Sequence, residues 1–250
     1  FFQAEDGIRY LVRSRGLGDV YKRQTVDDCD RMIEAGQKAN KMLQIGYRLY
    51  WDPFNIRLIE AMKNKEYGEW TNMSGGFSYD HGRWAKKGDW RLTKQMNVGG
   101  SLYDLGVYVV QSAFYTAHSH PISVKAQSWT ERKEIYKEIP EHWEWELEWP
   151  DGRISQHSSS YGKKENFINL KTDTGNLGLN PAYSYRGIKG YEPKSEMQLK
   201  AVFQQKLDPR RDVDMIKTLK QSNHSNDWCW VNCFPSRFIV EADVSTCYGD

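Results

Sequence analysis

The sequence lacks several features that would each place it in a well-defined class of proteins. No stretch approaches the ~20 consecutive apolar residues that a membrane-spanning helix needs. Basic and acidic residues number 35 and 33, so the clustered positive charge typical of a nucleic-acid-binding protein is missing. The six histidines include no His-Glu-x-x-His pair of the kind that binds zinc on a helix. We therefore expect neither a membrane nor a nucleic acid as partner, and no metal-dependent hydrolase.

Cysteine is also scarce, with four residues in a chain of 250. Cys229 and Cys233 could supply half of a zinc site, and His224 and Cys247 are the nearest candidates for the other half. Their spacing fits no familiar zinc pattern, so we expect no metal site. Aromatic residues, by contrast, are abundant at 14%, including 10 Trp and 15 Tyr. Most are expected in the core, but flat aromatic faces also stack on sugar and nicotinamide rings.

The two ends of the chain differ in pattern from the part between them. Residues 1–24 contain Gly16-Leu17-Gly18, but no third glycine follows at the offset of a dinucleotide-binding loop, and no acidic residue closes a second strand. This segment resembles a translated sequencing adapter, and we interpret it as an artefact. In residues 204–250 the apolar spacing loses its period, as in a frameshifted tail or a divergent one.

Between these ends the sequence predicts an α/β fold, in which the end of a Rossmann domain is followed by an α+β domain. The elements that indicate the first part are a helix over 25–41, a strand over 42–46 and a second helix over about 54–65. Thr25 is a good N-cap for the first of them. We assign residues 25–53 to the end of the nucleotide-binding domain and residues 54–203 to the second domain.

The second domain is predicted to carry an open, mostly antiparallel sheet of meander-like order, packed on one long helix over 101–117. In residues 143–149 tryptophan and leucine alternate with glutamate, which indicates one buried and one acidic face. The turn signal Pro-Asp-Gly follows at 150–152. The predicted strands are 70–79, 122–130, the two arms around this turn, 167–171 and 176–179.

Two pairs of residues are candidates for chemistry. Asp104 and Tyr108 are spaced by one helical turn and would share one helix face, with Ser101 as the N-cap. A carboxylate can orient a substrate hydroxyl and a phenol can pass a proton, although helix capping by Asp104 and core packing by Tyr108 remain the alternative. Before them, Arg91 has the planar fork that binds carboxylate or phosphate, and Trp90 can stack on a ring. A surface loop anchored by its tryptophan remains the alternative there.

Five motifs, taken together and in this order, closely resemble the glucose–fructose oxidoreductase branch of the Gfo/Idh/MocA oxidoreductases. The resemblance covers about residues 25–200, and GGSLYDLGVY is its most specific element. The motifs are GYRLYWDP (46–53), WRL (90–92), GGSLYDLGVY (99–108), WEWELEWPDGRISQHSSSY (143–161) and NPAYSYRGIKGY (180–191).

The resemblance implies a two-domain enzyme, with an N-terminal Rossmann domain that binds NADP or NAD and a C-terminal domain whose open sheet serves substrate binding and oligomer contacts. It implies hydride transfer between a carbinol carbon of a sugar or polyol and the nicotinamide. Asp104 and Tyr108 match the catalytic residues that lie against the sugar. The positions that match cofactor-binding residues are Tyr47, Arg48, Trp90, Arg91 and Tyr185.

The sequence departs from the family pattern before Thr25, where a glycine-rich phosphate loop, a ribose-binding residue and a Glu-Lys-Pro motif would be expected. None of them is present in residues 1–24. We therefore expect an N-terminally truncated piece of an NAD(P)-dependent sugar or polyol oxidoreductase, inactive by itself and homo-oligomeric through the open sheet. A non-catalytic carbohydrate-binding or assembly module on the same sheet is the alternative. The sequence does not choose between NADP and NAD, name the sugar or assign a compartment.

Overall fold

The computed structural model describes residues 26–40, 48–193 and 195–197. These residues fall into two compact units, with the boundary between Arg48 and Leu49. Helix α1, Val26–Lys38, belongs to the first unit, and its last turn carries an exposed Lys38–Glu34 ion pair at 3.2 Å. The predicted artefact at 1–24, the strand at 42–46 and the tail at 204–250 lie outside the described residues.

The second unit opens with helix α2, Pro53–Lys63, close to its predicted bounds. Asp52 precedes it in an extended conformation, and its Oδ1 accepts a hydrogen bond of 3.0 Å from the backbone N–H of Phe54. Proline at the first helical position has no N–H to leave unpaired, so the Asp-Pro pair starts the helix efficiently. The buried side of α2 packs on helix α3, Val107–Ala117, and on the sheet.

Eight strands form one open sheet in the order β2-β3-β4-β1-β5-β6-β7-β8. All neighbouring strands are antiparallel except β1 and β4, which are parallel, so the predicted open and mostly antiparallel sheet is confirmed. The strands are β1 (Trp70–Ser78), β2 (Ser123–Trp129), β3 (His142–Glu148), β4 (Ile154–Ser160), β5 (Glu165–Thr172), β6 (Asn176–Leu179), β7 (Gly190–Glu192) and β8 (Ser195–Glu196).

The predicted meander order is wrong at β1, which lies between β4 and β5 instead of beside β2. A long loop and helix α3 separate β1 from β2 along the chain, so no hairpin turn forces those two strands to pair. The centre of β1 also suits a central position, because Gly75 and Gly76 are both buried. A Cβ at Gly76 would lie 2.9 Å from the ring of Phe167, and one at Gly75 would lie 3.0 Å from Val109.

The two faces of the sheet differ in what covers them. Helix α3 packs on one face through β1, β4 and β5, where Met73, Ile168 and Leu170 are buried. The opposite face carries mostly polar side chains, such as Gln127, Glu144 and Gln156, and no described helix lies over them. The alternation predicted for residues 143–149 is confirmed, since Trp145, Leu147 and Trp149 are buried on the helix-covered face while the glutamates between them are partly or fully exposed.

The predicted single helix over 101–117 has a different first turn. Residues Leu102–Gly106 form a π-helical turn, and α3 begins only at Val107. Ser101 is not the N-cap, because its own backbone is already helical and its hydroxyl donates to the carbonyl of Ser159 at 3.1 Å. The chain turns earlier, at Gly100 with φ +56°, a left-handed conformation that glycine adopts easily.

Candidate active site

Asp104 lies in the π-helical turn and is 6% exposed. Three donors converge on its Oδ2: Nε of Arg91 at 3.0 Å, the hydroxyl of Tyr161 at 3.1 Å and the hydroxyl of Tyr79 at 3.5 Å. Hydrogen bonds to the ionised form favour that form. The arrangement therefore holds a buried negative charge in a fixed position at the start of the helix.

Arg91 lies in a short turn, Trp90–Leu92, that begins after Asp89. Oδ1 of Asp89 accepts a hydrogen bond of 3.0 Å from the backbone N–H of Arg91, and the guanidinium lies 4.3 Å from the ring centroid of Trp90. Burial lowers the pKa of Arg91, but Asp104 and Tyr79 raise it by more, so the pKa stays above its usual range. The side chain is thus a permanent cation, paired on one side and stacked on another.

Tyr161 and Tyr79 approach Asp104 from the ends of two neighbouring strands. Tyr161 is fully buried, and burial together with the charge of Asp104 raises the pKa of its phenol well above the usual value. The same two causes raise the pKa of Tyr79, which is only half-buried. Both phenols therefore stay protonated near neutral pH and act as donors. Nδ2 of the buried Asn97 donates in turn to the Tyr161 hydroxyl at 3.0 Å.

Tyr108 lies on the first turn of α3 and is half-buried. Its ring packs edge-on against Phe77 of β1, with ring centroids 5.7 Å apart. The π-helical turn changes the rotation between Asp104 and Tyr108 from the one expected for a regular helix. The phenols that donate to the Asp104 carboxylate are those of Tyr161, at 3.1 Å, and Tyr79, at 3.5 Å.

The remaining predicted site residues lie in two further segments. Tyr185 is 44% exposed, in the loop that follows β6. Oδ1 of Asn166 fixes the start of that loop by accepting backbone hydrogen bonds of 2.8 and 2.7 Å from Ala182 and Tyr183. Tyr47 lies outside the described residues, as does the side chain of Arg48. The structure thus brings Trp90, Arg91 and Asp104 into one cluster.

Sequence reasoning missed Tyr79, Asn97 and Tyr161 as parts of this cluster. The two tyrosines directly follow β1 and β4, whose last residues pair in register because the strands are parallel. The backbone N–H of Tyr79 donates to the carbonyl of Ser160 at 3.1 Å, so the two phenols leave the sheet side by side. Carboxyl ends of neighbouring parallel strands are frequent locations of binding sites. A correct prediction of this one parallel pair would have identified both residues.

His81 contacts the Trp90–Leu92 turn through Asp89, the residue that precedes it. It is 3% exposed, and its Nε2 lies 3.0 Å from Oδ2 of Asp89, the residue that caps the Trp90–Leu92 turn. Burial lowers the pKa of His81, although the neighbouring carboxylate of Asp89 opposes that effect. The neutral imidazole therefore fills the space between the loop and the rings of Tyr79 and Tyr161.

The described part of the chain contains neither a cluster of metal-ligating side chains nor a helix suited to cross a membrane. No group of three or more His, Cys, Asp or Glu side chains is placed to hold a metal ion within residues 26–40, 48–193 and 195–197. In the same part of the chain no helix has the length and apolar character needed to cross a membrane. The four residues considered for zinc, Cys229, Cys233, His224 and Cys247, lie outside it.

Comparison with known proteins shows which sequences and structures this chain is similar to. The chain is 20% identical over 161 residues to the D-xylose 1-dehydrogenase [NADP(+)] of Haloarcula marismortui, which corresponds to 64% of this chain and 45% of that protein. Its structure is similar to that of the aldose-aldose oxidoreductase from Caulobacter crescentus complexed with glycerol, with a TM-score of 0.65, 28% identity, and coverage of 73% of this chain and 54% of the other.

An NAD binding oxidoreductase from Klebsiella pneumoniae shares the fold, with a TM-score of 0.55, 16% identity, and coverage of 71% of this chain and 51% of the other. The chain spans about half the length of the relatives it matches. The model of the GFO/IDH/MocA C-terminal domain matches residues 56–173, a range that includes the sheet from β1 to β5 and the Arg91–Asp104 cluster. Over this range the fold therefore resembles the C-terminal domain of the GFO/IDH/MocA proteins.

Proposed function

We propose that this chain is the substrate-facing part of an NAD(P)-dependent oxidoreductase that acts on a hydroxyl group of a sugar or polyol. In this proposal residues 25–53 end the nucleotide-binding domain, and residues 54–203 form the substrate domain. The observation that carries the proposal is the buried ion pair of Arg91 and Asp104, which two phenols surround at the carboxyl ends of β1 and β4. The names of the two sugar-directed relatives support the substrate class.

Asp104 acts in this proposal as a fixed charge and not as a base. The carboxylate oxygen Oδ2 already accepts hydrogen bonds from Arg91, Tyr161 and Tyr79, so its acceptor positions are occupied by the protein itself. It holds the guanidinium and keeps both phenols directed toward it. Tyr108, on the next turn, is the group that exchanges the proton of the substrate hydroxyl.

A nicotinamide, NADP or NAD, would supply the hydride acceptor or donor. The residues of this chain fit the side of such a cofactor that faces the substrate. Arg91 offers a permanent cation to an anionic group, Trp90 offers a half-buried indole, and Tyr185 offers a partly exposed phenol. Tyr47 and Arg48 remain part of the proposed cofactor set by resemblance. Both nicotinamide cofactors carry the groups that these side chains recognise.

The test is turnover by the product of the complete gene, assayed with D-xylose, D-glucose and myo-inositol and with each cofactor in turn. We expect Tyr108→Phe to lower kcat by about 10²–10⁴, the range for loss of a proton-transferring group. Asp104→Ala should lower kcat/KM as well. Tyr103→Phe is the matched control, because Tyr103 adjoins Asp104 but is 37% exposed. Full turnover by both Asp104→Ala and Tyr108→Phe would contradict the proposed site.

A second experiment tests the proposed division of the cofactor site between two domains. Titration of the 250-residue chain with NADP and NAD, followed by calorimetry, should show no tight binding. The phosphate-gripping loop expected in this family has no counterpart in residues 1–24, and backbone N–H groups at a helix N-terminus supply most of that grip. Micromolar binding of either nucleotide to this chain would overturn the proposed division.

A second candidate function concerns the open face of the sheet, which we propose as a surface for carbohydrate binding or for assembly of copies of the chain. A cleft of about 520 Å³ on that face is lined by amide, carboxylate and aromatic groups, including Gln127, Glu144, Glu146, Gln156 and Phe167. Amides and carboxylates next to an aromatic ring suit a ligand rich in hydroxyl groups as well as a polar interface.

Sedimentation of the full chain tests the assembly role of this face. If copies associate there, Gln156→Arg should reduce the apparent mass to that of a monomer, because a long cation would enter the cleft. Val124→Lys is the control, since Val124 is 64% exposed but its side chain belongs to the other face of the sheet. Equal masses for the wild type and Gln156→Arg would exclude this face as the interface.

A further inference from the structure

We propose that Asn97 is a positioning residue that fixes the direction of the Arg91 guanidinium. The inference rests on the proposed function, in which that guanidinium meets the anionic part of a ligand. Asn97 lies in the loop between the Trp90–Leu92 turn and the π-helical turn, and it is 1% exposed. A fully buried amide in a loop must be hydrogen-bonded, and its partners show what it holds.

Both hydrogens of the Asn97 amide point to groups that belong to one circuit. Nδ2 donates to the backbone carbonyl of Arg91 at 3.1 Å and to the hydroxyl of Tyr161 at 3.0 Å. That hydroxyl donates its own proton to Oδ2 of Asp104 at 3.1 Å. The same Oδ2 accepts from Nε of Arg91 at 3.0 Å. These hydrogen bonds therefore form a closed circuit that connects the backbone carbonyl of Arg91 to its own guanidinium.

Such a closed circuit restricts a side chain that is otherwise among the most flexible. Arginine has many rotamers, so it loses conformational entropy when its guanidinium is held in one place. Asn97 fixes the backbone end of Arg91 directly, and it fixes the other end through Tyr161 and Asp104. Asparagine places two N–H donors on one nitrogen, whereas aspartate and leucine of similar size have none there and cannot close the circuit.

The experiment observes the Arg91 Nε–H group by ¹H–¹⁵N NMR in the full 250-residue chain, with the signal assigned by its disappearance in Arg91→Lys. Its rate of exchange with water reports how firmly the guanidinium is held. Asn97→Asp removes both hydrogen bonds that Nδ2 donates, and we expect it to raise that rate at least about tenfold. Tyr161→Phe, which keeps the packed ring and removes only the hydroxyl, should raise it by a similar factor.

Tyr183→Phe is the matched control. Tyr183 is also fully buried, and its hydroxyl bonds to Ser112 at 2.8 Å, a residue of α3 outside the circuit. This variant should lose comparable stability but leave the Arg91 signal unchanged. An unchanged exchange rate in both Asn97→Asp and Tyr161→Phe, or an equal rise in Tyr183→Phe, would overturn the proposal. The measurement needs no cofactor or turnover, so its failure is distinct from failure of the proposed function.

Discussion

The ion pair of Arg91 and Asp104 gives the sharpest test of the structure, through a double-mutant cycle of Asp104→Ala, Arg91→Met and the double variant. The charged atoms lie 3.0 Å apart, and the two side chains are 22% and 7% exposed. At an effective dielectric constant of ~20 the gross attraction is about 5 kcal/mol, much of which desolvation offsets. Removing one partner leaves the other charge buried, which costs about 3–5 kcal/mol when burial is complete.

Because Arg91 keeps some contact with solvent, we expect Asp104→Ala to lower the free energy of unfolding by about 3 kcal/mol. In a domain of this size that corresponds to a fall in Tm of about 6–12 °C. Arg91→Met should cost about 2 kcal/mol, because the hydroxyls of Tyr161 and Tyr79 still donate to the buried carboxylate. If the double variant is no less stable than Asp104→Ala alone, the coupling energy equals that cost, about 2 kcal/mol. Urea unfolding followed by far-ultraviolet circular dichroism measures all four corners of the cycle.

The control cycle uses Lys65 and Glu69, an ion pair whose side chains are 66% and 51% exposed. Exposed pairs gain little from their charges, so the coupling energy there should stay below about 0.5 kcal/mol. A coupling that small between Arg91 and Asp104 as well would refute the reasoning. The carboxylate would then be unconstrained by the arginine and available to a substrate as a base.

Two further predictions concern stability at other sites. Burial lowers the pKa of His157 to about 3, so the unfolded chain binds more protons than the folded one below pH ~6.5, and stability falls as the pH falls. Between pH 6.5 and 5 the wild type should lose about 2 kcal/mol more unfolding free energy than His157→Leu, and equal losses would contradict this. Gly100→Ala should destabilise by more than about 3 kcal/mol, because φ is +56° and a Cβ would overlap the carbonyl oxygen of Pro140. Gly88→Ala, with φ +85° and no atom within 4 Å of its Cβ, should cost only about 1 kcal/mol, as thermal melting can show.

Most secondary structure could be predicted because it depends on neighbouring residues. The alternation in β3 and the Asp52-Pro53 start of α2 are local signals, and both elements lie close to their expected places. The position of β1 depends instead on pairing with β4 and β5, far along the chain, and periodicity contains no such information. The π-helical turn at Leu102–Gly106 also escaped prediction, because a single turn of this rare type is not marked by the apolar spacing of the sequence.

The candidate site likewise combines residues that the sequence indicates with residues that only the folded structure identifies. Arg91 and Asp104 were candidates by residue type, and the resemblance of the WRL and GGSLYDLGVY motifs to a known family singled them out. Tyr161 and Asn97 are unremarkable in sequence, and their importance arises only from hydrogen bonds that span long stretches of chain. That Tyr108 exchanges a proton with substrate stays a prediction.

The central position of β1 also has a consequence for how the protein is made. Both strands that flank β1 are synthesised long after it, since β4 begins at Ile154 and β5 at Glu165. At a translation rate of roughly 5–20 residues per second, several seconds pass between the synthesis of β1 and that of either strand that pairs with it. During that interval Trp70 and Met73, later fully buried, are exposed to other nascent chains. The yield of soluble protein should therefore depend strongly on translation rate and on the supply of chaperones.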